Sequence, residues 1–190
     1  HMVMGVSPIL VVFGSIYHWY PKITGRMFNE TLGKWHFWLT FLGTYSTYLP
    51  MHYLGFLGVP RRYFAMGNTE FMPESAFVLN QSITISALFV GVVQLIFLYN
   101  IIVSMRNGEK AGPNPWQATT LEWQTPDTPP KHGNWGHELP EVHRWAYDYS
   151  VPGYPDDFIP QNVSENQVIA KQVFTEHDDG TDDPDRGAVS

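Results

Sequence analysis

Two arginines stand side by side in Val59-Pro60-Arg61-Arg62-Tyr63, a segment that closes one long apolar stretch and precedes another by about twenty residues. Each guanidinium keeps its charge under all ordinary conditions and presents a planar fork of donors, so a neighbouring pair beside hydrocarbon is costly unless an anion meets it. A haem propionate, a phosphate or a lipid headgroup would serve, and headgroup anchoring is the plainer reading. The second candidate is His1, which opens an apolar run without a charged flank. An imidazole there suits iron ligation, since neutral histidine is the commonest metal-binding side chain. A His1-Met2 start is also the pattern of an expression-vector remnant, and spacing alone favours that reading.

The elements that must position these residues are apolar. Hydrophobic residues make up 44% of the 190 and charged residues 15%, well under the roughly 25% of soluble domains. The mean hydropathy of -0.18 averages two unlike halves. Residues 1 to about 105 are apolar and aromatic, and the rest is rich in Pro, Asp, Glu and His. The net charge of -7 comes mostly from the second half, with Asp178, Asp179, Asp182, Asp183 and Asp185 crowded near the end. No basic stripe suggests nucleic acid, and without cysteine there is neither a disulfide framework nor a thiolate metal site.

Three spans are expected. The clearest is 83–105, free of formal charge and closed by Arg106; 35–59 lacks Lys, Arg, Asp and Glu but carries His36, Thr40, Thr44, Ser46, Thr47 and His52; 2–20 ends in the aromatic belt Tyr17-His18-Trp19-Tyr20. The polar groups of the second span predict a helix packed inside a bundle. Lys22, Arg26 and Lys34 follow the first span and Arg106 and Lys110 the third, which puts both connections on the cytoplasmic side. Arg61 and Arg62 then face outward, against the positive-inside trend. Pro8 inside the first span predicts a lost backbone hydrogen bond and a bend.

His36 and His52 read as hydrogen-bonded interior histidines and His18 as interfacial. His132, His137 and His143 are five and six residues apart, without regular metal geometry. The Pro-rich stretch 106–160 predicts an extended cytoplasmic strap held by its tryptophans, and the acidic end 161–190 predicts disorder.

In order, the motifs are Tyr17-His18-Trp19-Tyr20-Pro21-Lys22, Phe28-Asn29-Glu30, Trp35-His36-Phe37, Pro50-Met51-His52-Tyr53-Leu54-Gly55, Val59-Pro60-Arg61-Arg62-Tyr63, Asn114-Pro115-Trp116 and Thr119-Thr120-Leu121-Glu122-Trp123. Over roughly residues 1–160 the chain resembles the C-terminal part of subunit I of an A-type haem–copper oxygen reductase, the cytochrome c oxidase class. The resemblance implies an all-α membrane protein comprising the last three helices of a twelve-helix bundle. It implies that His1 ligates the low-spin haem A, that the high-spin ligand lies two positions before His1, and that Arg61 and Arg62 bind haem propionates at the outer face, a region the family links to proton pumping. The high-spin haem and the copper take their ligands from earlier helices, so this stretch alone reduces no oxygen. The implied partners are the remainder of subunit I, subunits II and III, cytochrome c and membrane lipid, in a bacterial plasma membrane or mitochondrial inner membrane with the C-terminus on the cytoplasmic or matrix side. A non-catalytic assembly subunit that binds no haem, or a quinol-oxidising relative, is the alternative.

Overall fold

The computed structural model describes residues 1–62, 73–127, 129–131, 133–136 and 138–178, the last seven by backbone alone. Tyr63, His132, His137 and the aspartates from Asp179 onward lie outside the described residues. The chain divides into two compact units, His1–Lys110 and the remainder from Ala111.

The first unit is helical. A π-helical turn over Met2–Val6 runs into α1, Ser7–Thr24. Its cause is Pro8, which has no N–H for the preceding turn. Upstream of it the His1 carbonyl accepts from both Gly5 N (2.6 Å) and Val6 N (3.2 Å). The expected bend therefore takes the form of an over-wide turn. At the other end, Gly25 (φ 70) takes the left-handed conformation and closes α1 with a bond from its N–H to the Pro21 carbonyl.

α2 spans Glu30–Tyr48 and α3 spans Pro50–Phe56. Asn29 caps α2, its side chain accepting from Leu32 N at 3.0 Å. Glu30 and Lys34 pair across the first turn at 3.1 Å. The single span expected over 35–59 is thus two helices, because Pro50 cannot donate into the ladder and the helix ends at Tyr48. α4, Glu74–Asn107, has 34 residues and is about 50 Å long, well beyond a hydrocarbon core of roughly 30 Å.

Among the described residues two helices, Met2–Thr24 and Glu74–Asn107, are long and apolar enough to cross a membrane. α2 is not one of them, because its polar side chains lower its hydropathy. Those side chains are turned inward: Gly33, His36, Thr40, Gly43, Thr44 and Thr47 are buried along one face. Meanwhile Val11, Val12, Trp35, Trp38, Leu42, Ile85, Leu88, Val92 and Leu95 are exposed. A polar seam inside an apolar exterior reverses the soluble pattern and suits hydrocarbon surroundings. Gly43 is where α2 meets α4, since a Cβ there would lie 2.6 Å from Val90 Cγ2.

The end where α4 finishes is clamped by Asn100, which is fully buried. Its Nδ2 donates to the Asn29 carbonyl (3.0 Å) and its Oδ1 accepts from Asn29 N (3.1 Å). Ser104 Oγ also accepts from Asn29 N (3.2 Å) while donating to Asn100 Oδ1 (3.1 Å). Tyr20 Oη donates to the Ile101 carbonyl at 3.0 Å, and an Arg26 terminal nitrogen donates to the Gly108 carbonyl at 2.6 Å. The end of α1 and the α1–α2 connection are therefore bonded to the end of α4 through the side chains of Tyr20, Arg26, Asn100 and Ser104.

The second unit holds a short 3₁₀ turn, Leu121–Trp123, and α5, Glu165–Asp178. Trp123 and Ile159 are buried, the Thr119 hydroxyl donates to the Ala146 carbonyl, and Gln161 N donates to the Thr119 carbonyl at 3.0 Å. Within the acidic stretch whose composition predicts disorder, Glu165–Asp178 is helical. Lys171, midway along this helix, ties it to the preceding loop, donating to Asp156 Oδ2 (2.7 Å) and Tyr154 Oη (3.3 Å) with its ammonium 4.8 Å from the Tyr154 ring centroid. The hydrogen bond to Asp156, then that to Tyr154, holds the Lys171 pKa above its ordinary value.

Candidate functional site

Four histidines of the first unit could serve as ligands, and their surroundings separate them. His36 is buried between three helices: Nδ1 lies 3.2 Å from Tyr17 Oη and Nε2 lies 2.9 Å from Gln94 Oε1. Gln94 Nε2 donates to the Val90 carbonyl (2.8 Å) and to Thr40 Oγ1 (3.3 Å), which fixes the amide orientation. Oε1 therefore faces His36 as an acceptor, so Nε2 carries the ring proton and Nδ1 accepts from Tyr17. With both nitrogens engaged, His36 is a structural crosslink of α1, α2 and α4 and has no lone pair for iron. The expectation of an interior, hydrogen-bonded histidine holds for it.

The same expectation fails for His52. On α3 it is exposed, and its Nδ1 bonds only locally, to the Leu49 carbonyl at 3.2 Å. Leu54 is the α3 residue turned inward, packed with Ala76 and Ile83 of α4. His18 is exposed on α1 and stacks edge-on against Trp19 at 5.5 Å, an arrangement suited to an interfacial belt.

His1 differs from all three. Its imidazole is exposed and makes no hydrogen bond among the described residues. It lies nearly parallel to the Tyr48 ring, at an interplanar angle of 7° and a centroid distance of 5.6 Å. Tyr48 ends α2 and rests over Gly5, where a Cβ would lie 3.1 Å from the tyrosine oxygen. A solvent- or ligand-facing imidazole with uncommitted nitrogens, held on one face by an aromatic ring, is chemically fit to ligate iron.

Arg61 and Arg62 follow α3 and are exposed, with no ion pair among the described residues. Val59, two residues earlier, packs on the Leu54, Ala76 and Ile83 cluster and ties the turn to the start of α4. Gly58 (φ 85) turns the chain, and Arg62 itself takes φ 63. A left-handed arginine is uncommon, and such conformations gather where surrounding structure over-determines them for a purpose. His1 stacks on Tyr48 where α2 ends, and the arginine pair follows α3, whose Leu54 and following Val59 pack against the start of α4, so both lie at the end of the unit where α2 ends and α4 begins.

Reading the sequence alone missed Tyr17, Gln94, Asn100 and Ser104, which complete the polar seam, and Tyr48 and Gly5, which frame His1. Their signal was a single polar or small residue inside an apolar run.

The architecture defines a class: helical membrane proteins with an apolar exterior and polar side chains turned inward. Residues 1–89 match the family model described as Cytochrome C and Quinol oxidase polypeptide I. The chain is 67% identical over 162 residues to the Alternative cytochrome c oxidase subunit 1 of Bradyrhizobium diazoefficiens, covering 85% of this chain and 27% of that protein. It is 42% identical over 151 residues to Cytochrome c oxidase subunit 1 of Synechocystis sp., covering 80% of this chain and 26% of that protein. A third relative is the Heme-copper oxidase subunit I+III of Aeropyrum pernix, 42% identical over 132 residues, or 70% of this chain and 15% of that one. The chain spans about a quarter of the length of the first two relatives. The resemblance to subunit I of the haem–copper oxidases is thereby established, and the chain corresponds to a part of that subunit. Haem and copper are the cofactors expected of this family, and its subunit I works within a multi-subunit complex.

Proposed function

We propose that this chain forms one wall of the low-spin haem site in a respiratory oxidase that passes electrons from cytochrome c to oxygen and pumps protons. The observation that carries the reading is a contrast: His36 has both nitrogens engaged, whereas His1 has both uncommitted, at the same end as two arginines without anionic partners among the described residues. His1 would supply a nitrogen ligand to the haem iron, with the Tyr48 ring backing the imidazole. Arg61 and Arg62 bind the propionates through paired N–H donors, which neutralises carboxylates where water is scarce. A haem bound there supplies reversible one-electron transfer.

The exposed apolar faces of α1, α2 and α4 are covered by lipid, by the rest of subunit I and by subunits II and III. α2 with α3 crosses the membrane as the second of three spans, its polar face against α1 and α4. Lys22, Arg26 and Lys34 then lie on the cytoplasmic side with Arg106 and Lys110, and the arginine pair lies outside. The haem of this site is haem A, and the second haem and the copper take their ligands from segments outside this chain.

The test is redox titration of the assembled oxidase with Arg61→Gln and Arg62→Gln. Fixed positive charge beside the haem favours the ferrous state, so each change lowers the low-spin midpoint potential by on the order of tens of millivolts. A potential identical to that of the parent enzyme in both variants sinks the propionate reading and leaves lipid anchoring in its place.

A further inference from the structure

We propose that Tyr48 is the positioning residue that sets the rotation of the His1 imidazole, and that position 5 is glycine so that the tyrosine ring can lie where this requires. The proposal rests on His1 being a haem ligand. An imidazole bound to iron through one nitrogen can still turn about that bond, and its plane governs how the metal orbitals split. Groups around a ligand imidazole fix that plane. Metal-bound histidine usually gains this control from a hydrogen bond to the second nitrogen, but the described residues offer His1 none. They offer a ring face instead.

The geometry is particular. The two rings are 7° from parallel with centroids 5.6 Å apart, inside the range of offset aromatic stacking. The tyrosine is held in turn from below. A Cβ on Gly5 would meet three Tyr48 atoms, the oxygen at 3.1 Å and ring carbons at 3.2 and 3.3 Å. Those separations are tighter than ordinary carbon contacts, so any side chain at position 5 pushes the ring away from its place beside His1. Tyr48 cannot yield along the chain, because it is the last residue of α2, directly before the Leu49-Pro50 break. Neighbouring Thr47 is buried and bonds its hydroxyl to the Gly43 carbonyl at 2.8 Å. On the other side, the π turn over Met2–Val6 places Gly5 and His1 together on the Tyr48 side of the first helix.

Sequence separation hides this arrangement, since Tyr48 is far from residues 1 and 5 in the chain and neither tyrosine nor glycine is a metal ligand. The functional role differs from packing in what it controls. A packing tyrosine affects whether the complex assembles; a positioning tyrosine changes the electronic signature of a haem that is still bound.

The experiment is electron paramagnetic resonance of the ferric low-spin haem in the assembled oxidase, with haem content from pyridine haemochrome spectra, for Tyr48→Phe, Tyr48→Leu, Gly5→Ala and His1→Leu. Tyr48→Phe keeps the ring and leaves the principal g values at those of the parent. Tyr48→Leu keeps the haem but shifts the largest g value, and Gly5→Ala produces a smaller shift because it displaces the ring by tenths of an ångström. Parent g values in both Tyr48→Leu and Gly5→Ala, with haem content intact, overturn the proposal. If Tyr48→Leu does not assemble, Gly5→Ala alone decides by the same criterion. His1→Leu separates the two layers: loss of the low-spin signal upholds the ligand reading whatever Tyr48 does, and its retention overturns ligand and positioning roles together.

Discussion

The seam that joins the three helices makes a quantitative prediction through Gln94. Replacing it with leucine removes the acceptor of His36 Nε2 (2.9 Å) and the donor to Thr40 Oγ1 (3.3 Å). The Val90 carbonyl loses only an additional donor, because it keeps its place in the helix ladder. The main cost is one buried N–H left unsatisfied, about 1–3 kcal/mol by soluble-protein measures. In a bilayer the unfolded reference also finds partners, and interhelical bonds there average about 0.6 kcal/mol with a maximum near 1.7. The expected loss for Gln94→Leu is therefore about 1–2 kcal/mol, toward the upper part of that range because the orphaned group is a ring N–H. His36→Leu strands Gln94 Oε1 instead and takes from Tyr17 Oη its bond to the ring. The double variant leaves neither His36 Nε2 nor Gln94 Oε1 unsatisfied, so it should be more stable than the sum of the singles by about 1 kcal/mol. The assay is SDS-driven unfolding of the complex in mixed micelles for the parent, both singles and the double. Additivity within about 0.3 kcal/mol would refute the crosslink and its assigned tautomer.

Gly43→Ala should destabilise the α2–α4 contact by about 1–3 kcal/mol, because the new methyl meets Val90 Cγ2 at 2.6 Å and a valine in a helix has one favoured rotamer. Adding Val90→Ala should restore much of that loss in the same unfolding assay; no rescue would mean the helices do not meet there. In the second unit, the raised Lys171 pKa means the protonated lysine is favoured by the fold. While Asp156 is ionised, its contribution is fully present below the ordinary lysine range and disappears as pH rises through the raised value. The pair is about half exposed, so Lys171→Ala should cost under about 1 kcal/mol. Hydrogen exchange across Glu165–Asp178 should be faster in the variant at neutral pH; equal exchange would show that Lys171 does not hold the helix.

The apolar runs at 2–20 and 83–105 were legible because hydrocarbon-facing helices need little beyond length and absence of charge. The inward face of α2 was legible too, since His36, Thr40, Thr44 and Thr47 recur at helical spacing inside an uncharged run. The break at Pro50 was visible as a residue and lost in the average, because apolarity continues through it on both sides. His52 was read like His36, yet burial is set by which side of α3 faces α4, and Leu54 takes that side. Gln94 and Asn100 were invisible as bonding partners because their bonds reach across 54 to 71 residues. α5 was obscured by its acidic surroundings, where a lysine contact and buried Val168 outweigh composition.

The central claim is that His1 is the axial ligand of the low-spin haem, and the optical and magnetic spectra of the assembled oxidase carrying His1→Leu test it most directly. The account predicts loss of the low-spin haem signal while Gln94→Leu, which weakens packing alone, retains it. A low-spin haem of unchanged amount and spectrum in His1→Leu would contradict it.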